Sequence, residues 1–276
     1  MFSKLGWALA AAVSFAGIGA ASAADMAVKA RPMPVPVYSW TGCYIGISAG
    51  AKGIKTRDTA YYPAFANAPI SSLYLGELED VTWIGGGQVG CNYQTGNWVF
   101  GIEGDAHAQK WGVSSTLVGP VFPPFFAFGD RFELHSDWQA SARGRVGYAQ
   151  DRALFYVTGG AAFTEVRSYT SWALALGNGL TRPAVVATDD RTLTGWTIGA
   201  GVEWAATNNI TLGLEGRYSD YGNQRFNAGR VTTVVGGIVA APGTYIQDTY
   251  RNVRIETGEV MAKVNYKFGG PVVAKY

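Results

Sequence analysis

Residues 138–148 read Trp138-Gln139-Ala140-Ser141-Ala142-Arg143-Gly144-Arg145-Val146-Gly147-Tyr148. Every second residue is apolar or small, and the residues between are polar or charged. That period of two places Trp138, Ala140, Ala142, Val146 and Tyr148 on one face of a strand and Gln139, Ser141, Arg143 and Arg145 on the other. Two arginines on the polar face require either water or a set of buried carboxylates, and an aromatic at each end of the apolar face marks two boundaries.

Working outward, the same texture recurs in eight long runs, roughly 40–52, 82–93, 98–111, 137–148, 153–168, 192–204, 210–221 and 253–268. Each is long enough for the roughly 9–11 residues of a tilted transmembrane strand. The connections alternate in length. Gln94-Thr95-Gly96-Asn97, Ala149-Gln150-Asp151-Arg152 and 205–209 are tight turns, whereas 53–81, 112–136, 169–191 and 222–252 are long. In a closed antiparallel barrel all short turns then fall at one rim and all long loops at the other. The expectation is an all-β, eight-stranded antiparallel transmembrane β-barrel of outer-membrane type with four long extracellular loops.

Alternation alone also fits a soluble lipocalin-like binder, in which the apolar face looks inward. The distribution of charge favours the membrane. One face collects Glu103, Asp105, Arg143, Arg145, Glu203, Glu215, Arg217, Glu259, Lys263 and Lys267, five acids against five bases. These are expected in the lumen, with Glu103 near Arg143 and Arg145, and Glu215 near Lys263, as buried ion pairs that neutralise a plug. The opposite face is uncharged through mid-strand. It carries Tyr93, Trp98, Tyr148, Phe155, Trp204 and Phe268 toward the short turns, and Trp83, Trp138, Phe163, Trp196 and Tyr218 toward the long loops. Two such rings are the girdles that amphipathic aromatics form at membrane interfaces.

Composition agrees with this reading. The chain has 276 residues, 48% hydrophobic and 15% charged, with 37 glycines, against an ordinary glycine share of ~7%; so many glycines disfavour long helices. A net charge of +2 gives no electrostatic footprint for nucleic acid. Residues 1–23 have the charged start, apolar centre and Ala21-Ser22-Ala23 end of a signal peptide. Residues 24–39, with Pro32, Pro34 and Pro36, read as a periplasmic linker, 40–268 as the barrel and 269–276 as a periplasmic tail.

Chemistry-bearing motifs are sparse. Asp105 and His107 share a face, which suits acid–base work but also any filled polar lumen. Gly85-Gly86-Gly87-Gln88-Val89-Gly90 matches a dinucleotide fingerprint, yet lies within a strand that no helix follows. No Cys/His spacing suits a metal, and no catalytic residue is expected. Cys43 and Cys91 point outward near the periplasmic ends of adjacent strands, where either a disulfide or two lipid-facing thiols is open to them. Loops 53–81 and 112–136, the latter with Pro120, Pro123 and Pro124 beside Phe122, Phe125, Phe126 and Phe128, are where an extracellular ligand or host partner would touch, or else these apolar residues fold back over the barrel mouth.

The opening Trp40-Thr41-Gly42-Cys43-Tyr44-Ile45-Gly46, the stretch from Gly85 to Gln94, and the close from Val264 to Tyr276 resemble the small outer-membrane immunogenic proteins of α-proteobacteria, which are porin-family, OmpA-like eight-stranded barrels. The resemblance implies a surface-exposed envelope protein of the cell outer membrane; with so few catalytic groups, the expected role is structural and non-enzymatic. It also implies haemin binding, as attributed to some relatives; the alternative function is accordingly a narrow porin, if the inward charges line a water-filled channel, or a component that binds and takes up haemin. His107, His135, Tyr61 and Tyr62 are the side chains at hand for haem iron, though no family motif places them. Outer-membrane lipid and the barrel-assembly machinery are the implied partners. The usual terminal aromatic with a glycine five residues before it is replaced here by Phe268 followed by eight residues, with Lys263 at the glycine position. Recognition by that machinery then rests on Tyr266-x-Phe268 or Tyr276.

Overall fold

The computed structural model describes residues 38–62, 71–117, 129–172, 175–177, 180–181, 185–235 and 243–268. The signal peptide and tail expected at the two ends, most of the Pro-rich linker and the Phe/Pro segment 120–128 lie outside them. Among the described residues ten strands run in chain order: β1 (Gly42–Tyr62), β2 (Ser71–Thr95), β3 (Trp98–Thr116), β4 (Arg131–Gln150), β5 (Ala153–Trp172), β6 (Ala175–Gly177), β7 (Leu180–Thr181), β8 (Val185–Ala205), β9 (Ile210–Val235) and β10 (Gly243–Lys267). The eight long ones pair antiparallel with their sequence neighbours, and β10 closes onto β1 from Tyr44↔Lys267 to Tyr61↔Tyr250. Closure leaves no free edge at the level of the short turns, whereas beyond Ile84↔Gln109 the β2–β3 ladder ends and beyond Trp196↔Asp220 the β8–β9 ladder ends. The short strands β6 and β7 pair with each other, and β7 pairs with the far end of β9.

At one rim the turns are as short as the sequence indicates. Gly96 and Asp151 take positive φ values of 59° and 51° there, a conformation that Gly and Asp supply readily in two-residue hairpins. The opposite rim differs from the expectation. The segments read as long loops are mostly continuations of the strands, so that β1 and β2 stay paired as far as Tyr62↔Ser71 and β9 and β10 as far as Val235↔Gly243.

The physical reason is an inversion of the side-chain pattern. Along β1 the outward residues are Ile45, Ile47, Ala49 and Ala51, then Lys55 and Arg57; along β10 they are Tyr266, Val264, Ala262 and Val260, then Glu256 and Arg254. Alternation continues, but above Gly53 and Gly258 the outer face is charged. Lys55 and Arg57 lie 2.6 and 2.7 Å from Glu77, and Arg167 lies 3.0 Å from Asp137. Below that line the outer wall is bare hydrocarbon: Ile102 is 70% exposed and Trp83 81%. From Tyr148 up to Trp138 the strand advances about 33 Å, which at a barrel tilt near 40° spans about 25 Å of membrane.

Candidate functional site: the filled lumen

The interior is packed in layers, because inward side chains of eight strands fill the cross-section. At the short-turn rim Tyr38 and Trp40 sit among Val99, Ala149, Leu154, Tyr156 and Ala205. Trp40 is 1% exposed, and its backbone N–H donates to Gln94 Oε1 at 2.7 Å. The last residues of the expected linker region are therefore part of the barrel's floor. Lys267, expected among the central charges, is instead at this rim; its ammonium donates to the Ser39 carbonyl and lies 4.2 Å from the Tyr38 ring centre.

Above the floor ten charged side chains connect into one network. Arg143 donates to Glu103 (2.5 Å), Asp105 (2.8 Å) and Glu215 (2.5 Å). Lys263 reaches Glu103 at 2.7 Å and Glu215 at 3.1 Å. Arg145 bonds Glu203 at 2.9 Å, lies 3.6 Å from Glu103 and stacks 4.0 Å over the Tyr156 ring. Arg217 joins Asp105 at 3.1 Å to Glu259 at 2.6 Å, and Lys52 stands 3.3 Å from Glu259.

Sequence reading missed several participants. Lys52 shares the inward parity of Tyr44 and Ser48 and closes the run 40–52, but it was not named among the inward charges. Tyr44 and Tyr156 read as apolar, yet their hydroxyls donate to Glu103 (2.5 Å) and Glu215 (2.7 Å). Charged groups so enclosed are tolerable only when each acid meets a base and spare donors are satisfied.

Beside this network Ser48 Oγ lies 2.7 Å from His107 Nε2, and His107 Nδ1 lies 3.1 Å from Asp105 Oδ1. Ser48, Gly86 and His107 form one register row across β1, β2 and β3. Any side chain on Gly86 would strike the β3 backbone, its Cβ falling 2.0 Å from the Ala106 carbonyl, so glycine opens the gap across which serine and histidine meet. The order of the groups is that of an acyl-transfer triad, but His107 Nδ1 makes no hydrogen bond to Asp105. However, the Ser48 hydroxyl also donates to Gln88 at 2.8 Å, and all three side chains are buried.

Toward the rim opposite the short turns an apolar layer follows, in which Ile54, Trp111, Leu134, Val166, Leu193, Phe226 and Ile255 pack together. Above it Arg251 pairs with Asp58 and donates to Ser168 at 3.0 Å. Both charges fall in stretches read as loops.

The other expected positions are placed as follows. Tyr93, Trp98, Tyr148, Trp204 and Phe268 ring the outer wall near the short turns, and Trp83, Trp138, Trp196 and Tyr218 ring it higher up, all exposed. Trp98 meets Tyr148 edge-on at 5.7 Å, and Trp196 lies 5.6 Å from Tyr218. Cys43 and Cys91 are register partners on the outer wall and form a disulfide. The haem candidates do not converge: His107 faces the lumen, whereas His135, 52% exposed at its side chain, faces outward beside Glu133. His135 sits within β4, not in a loop. Tyr61 stacks on Tyr250 at 4.9 Å, and the Tyr62 side chain lies outside the described set. Among the described residues no group of three or more His, Cys, Asp or Glu is arranged to hold a metal.

Comparison with known proteins agrees with this architecture. The 31 kDa outer-membrane immunogenic protein of Brucella melitensis is 36% identical over 214 residues, covering 74% of this chain and 82% of that protein. The 25 kDa outer-membrane immunogenic protein of Brucella abortus is 29% identical over 255 residues, 90% of this chain and 91% of that protein. A 22 kDa outer membrane protein of Rhizobium leguminosarum is 31% identical over 201 residues, 72% of each. Residues 9–268 match the outer membrane protein beta-barrel domain. With its apolar outer band and ring of strands, this chain is an outer-membrane protein and belongs to the outer membrane protein beta-barrel domain family.

Proposed function

We propose that the protein is a sealed, non-catalytic barrel that anchors a rigid β-structured extension at the cell surface and contributes to the envelope as a structural, surface-displayed element. The observation that carries this reading is the continuous filling of the lumen, from Trp40 through the Arg143–Glu215 network to the Ile54–Phe226 layer. A porin requires an aqueous path, and here each inward charge is engaged by another side chain. The Ser48–His107–Asp105 relay serves this packing, because a nucleophile needs room for a substrate and oxyanion donors beside it. The relatives' names, which describe immunogenic outer-membrane proteins, support display at the surface.

The test is planar-bilayer recording on refolded protein. The proposal expects insertion without discrete ohmic steps; a stable ion-conducting state would overturn the sealed barrel in favour of a narrow porin. A Soret titration with haemin on the same sample is expected to show no specific shift.

A further inference from the structure

On the outer face of the extracellular extension, Arg191, Arg225 and Arg230 line one cleft of about 360 Å³ together with Asn227, Asp248 and Tyr250. Two of the arginines are partly occupied. Arg191 bonds Asp189 through its Nε at 3.0 Å, and Arg230 bonds Asp248 at 2.7 Å, which leaves other N–H groups of each guanidinium to spare. Arg225 differs, because among the described residues it has no carboxylate or carbonyl partner. Its guanidinium lies 3.6 Å over the Tyr250 ring, and Tyr250 stacks in turn on Tyr61, with 10° between the ring planes. Stacking holds the guanidinium plane while its edge donors stay unused, the pre-organised state in which arginine takes carboxylate or phosphate bidentately.

From the level of Tyr218 to Arg225 the strand climbs seven residues, about 23 Å of chain and roughly 18 Å of height at barrel tilt. That height lies beyond the hydrocarbon, among the sugars of the outer surface. The cleft's size is at the low end for small-molecule sites, and its three guanidinia meet two carboxylates, Asp189 on Arg191 and Asp248 on Arg230, which leaves one positive charge, that of Arg225, to select an anion. We propose that this cleft binds a sugar carrying one phosphate or carboxylate, with Arg225 as its primary anchor and Arg191 and Arg230 flanking it. The inference rests on the extracellular placement of these hairpins in the surface role above.

The refolded chain in detergent would be titrated calorimetrically with glucose 6-phosphate and glucuronate, with glucose as the neutral control, and separately with vesicles of bisphosphorylated or dephosphorylated lipid A. Binding of the soluble anionic sugars but not glucose is expected, weakened roughly tenfold or more in Arg225→Ala and in Arg225→Gln, and unchanged in Lys110→Ala, which removes an exposed cation elsewhere. Arg225-dependent binding seen only with phosphorylated vesicles supports the same site with the membrane's own saccharide as the source. Equal binding of glucose, equal loss in Lys110→Ala, or no binding in either arm would overturn the proposal. Gel mobility without boiling, run on every variant, reports the folded barrel, and the planar-bilayer recording above reports the sealed-barrel reading, so failure of the cleft and failure of that reading are read separately.

Discussion

Tyr44 stands opposite Gly90 in the β1–β2 register, and its ring fills the space that a side chain on Gly90 would need. A Cβ there would meet the Tyr44 hydroxyl oxygen at 2.4 Å and the Ile102 carbonyl at 2.8 Å, so the tyrosine cannot simply step aside. Gly90→Ala is expected to destabilise the barrel by about 1–3 kcal/mol through overpacking. Gly85→Ala on the lipid face, with its nearest atom 3.8 Å away, is expected to stay within about 0.5 kcal/mol. Urea unfolding in detergent, followed by the unboiled gel band, compares the two.

Arg143 touches three carboxylates and is 4% exposed. Its removal leaves Glu103, Asp105 and Glu215 short of a counter-charge, so Arg143→Ala should cost about 3–5 kcal/mol. Arg167→Ala on the wet outer face, where Arg167 pairs with Asp137 at half exposure, should cost no more than about 1 kcal/mol. Unfolding midpoints that coincide for the two variants would contradict the lumen network.

Trp40 closes the floor without belonging to a strand. Trp40→Ala is expected to lose about 3–5 kcal/mol, together with protection of the Val99 and Leu154 amides against hydrogen exchange. Protection at Ile54 and Val253, in the upper apolar layer, should persist.

The Cys43–Cys91 bond closes a loop of sequence separation 48. Constraint of the unfolded chain predicts about 2–4 kcal/mol lost on reduction. Non-reducing peptide mapping should return one linked pair of peptides. Because both cysteines face lipid, a membrane-impermeant reductant should act only after the barrel is opened by denaturant.

Ser48 offers a direct test of the non-catalytic reading. A serine-reactive fluorophosphonate is expected to leave Ser48 unlabelled in the folded protein; stoichiometric labelling that disappears in His107→Ala would establish a working nucleophile.

The membrane-embedded half of this architecture was legible because one rule, apolar out and polar in, holds from Cys43 to Ala51 and from Tyr148 to Trp138. The extracellular half obeys the opposite rule. Ile54 and Val253 face in while Lys55 and Arg254 face out, so a search for apolar-out strands stops at Gly53 and reads a loop. The same boundary hid Asp58 and Arg251. Tyr44 and Tyr156 escaped for a different reason, since a phenol counts as apolar in an alternation pattern while its hydroxyl closes a charge network. Trp40 was legible as the start of the barrel but not as its plug: it precedes β1, and only three-dimensional closure gives it a cavity to fill.

Under the proposed surface role, paired strands that continue beyond the membrane change what an antibody would see. Along residues 54–60 the intact surface offers Lys55, Arg57 and Thr59, while Ile54, Thr56, Asp58 and Ala60 are turned inside. The neighbours of Arg57 on that surface are Glu77 and Glu256, contributed by other strands at 2.7 and 3.7 Å. An epitope here is a patch woven from alternate residues of β1, β2 and β10, so a linear peptide of this stretch would display the hidden half as well and lack two of the three strands that compose the visible one.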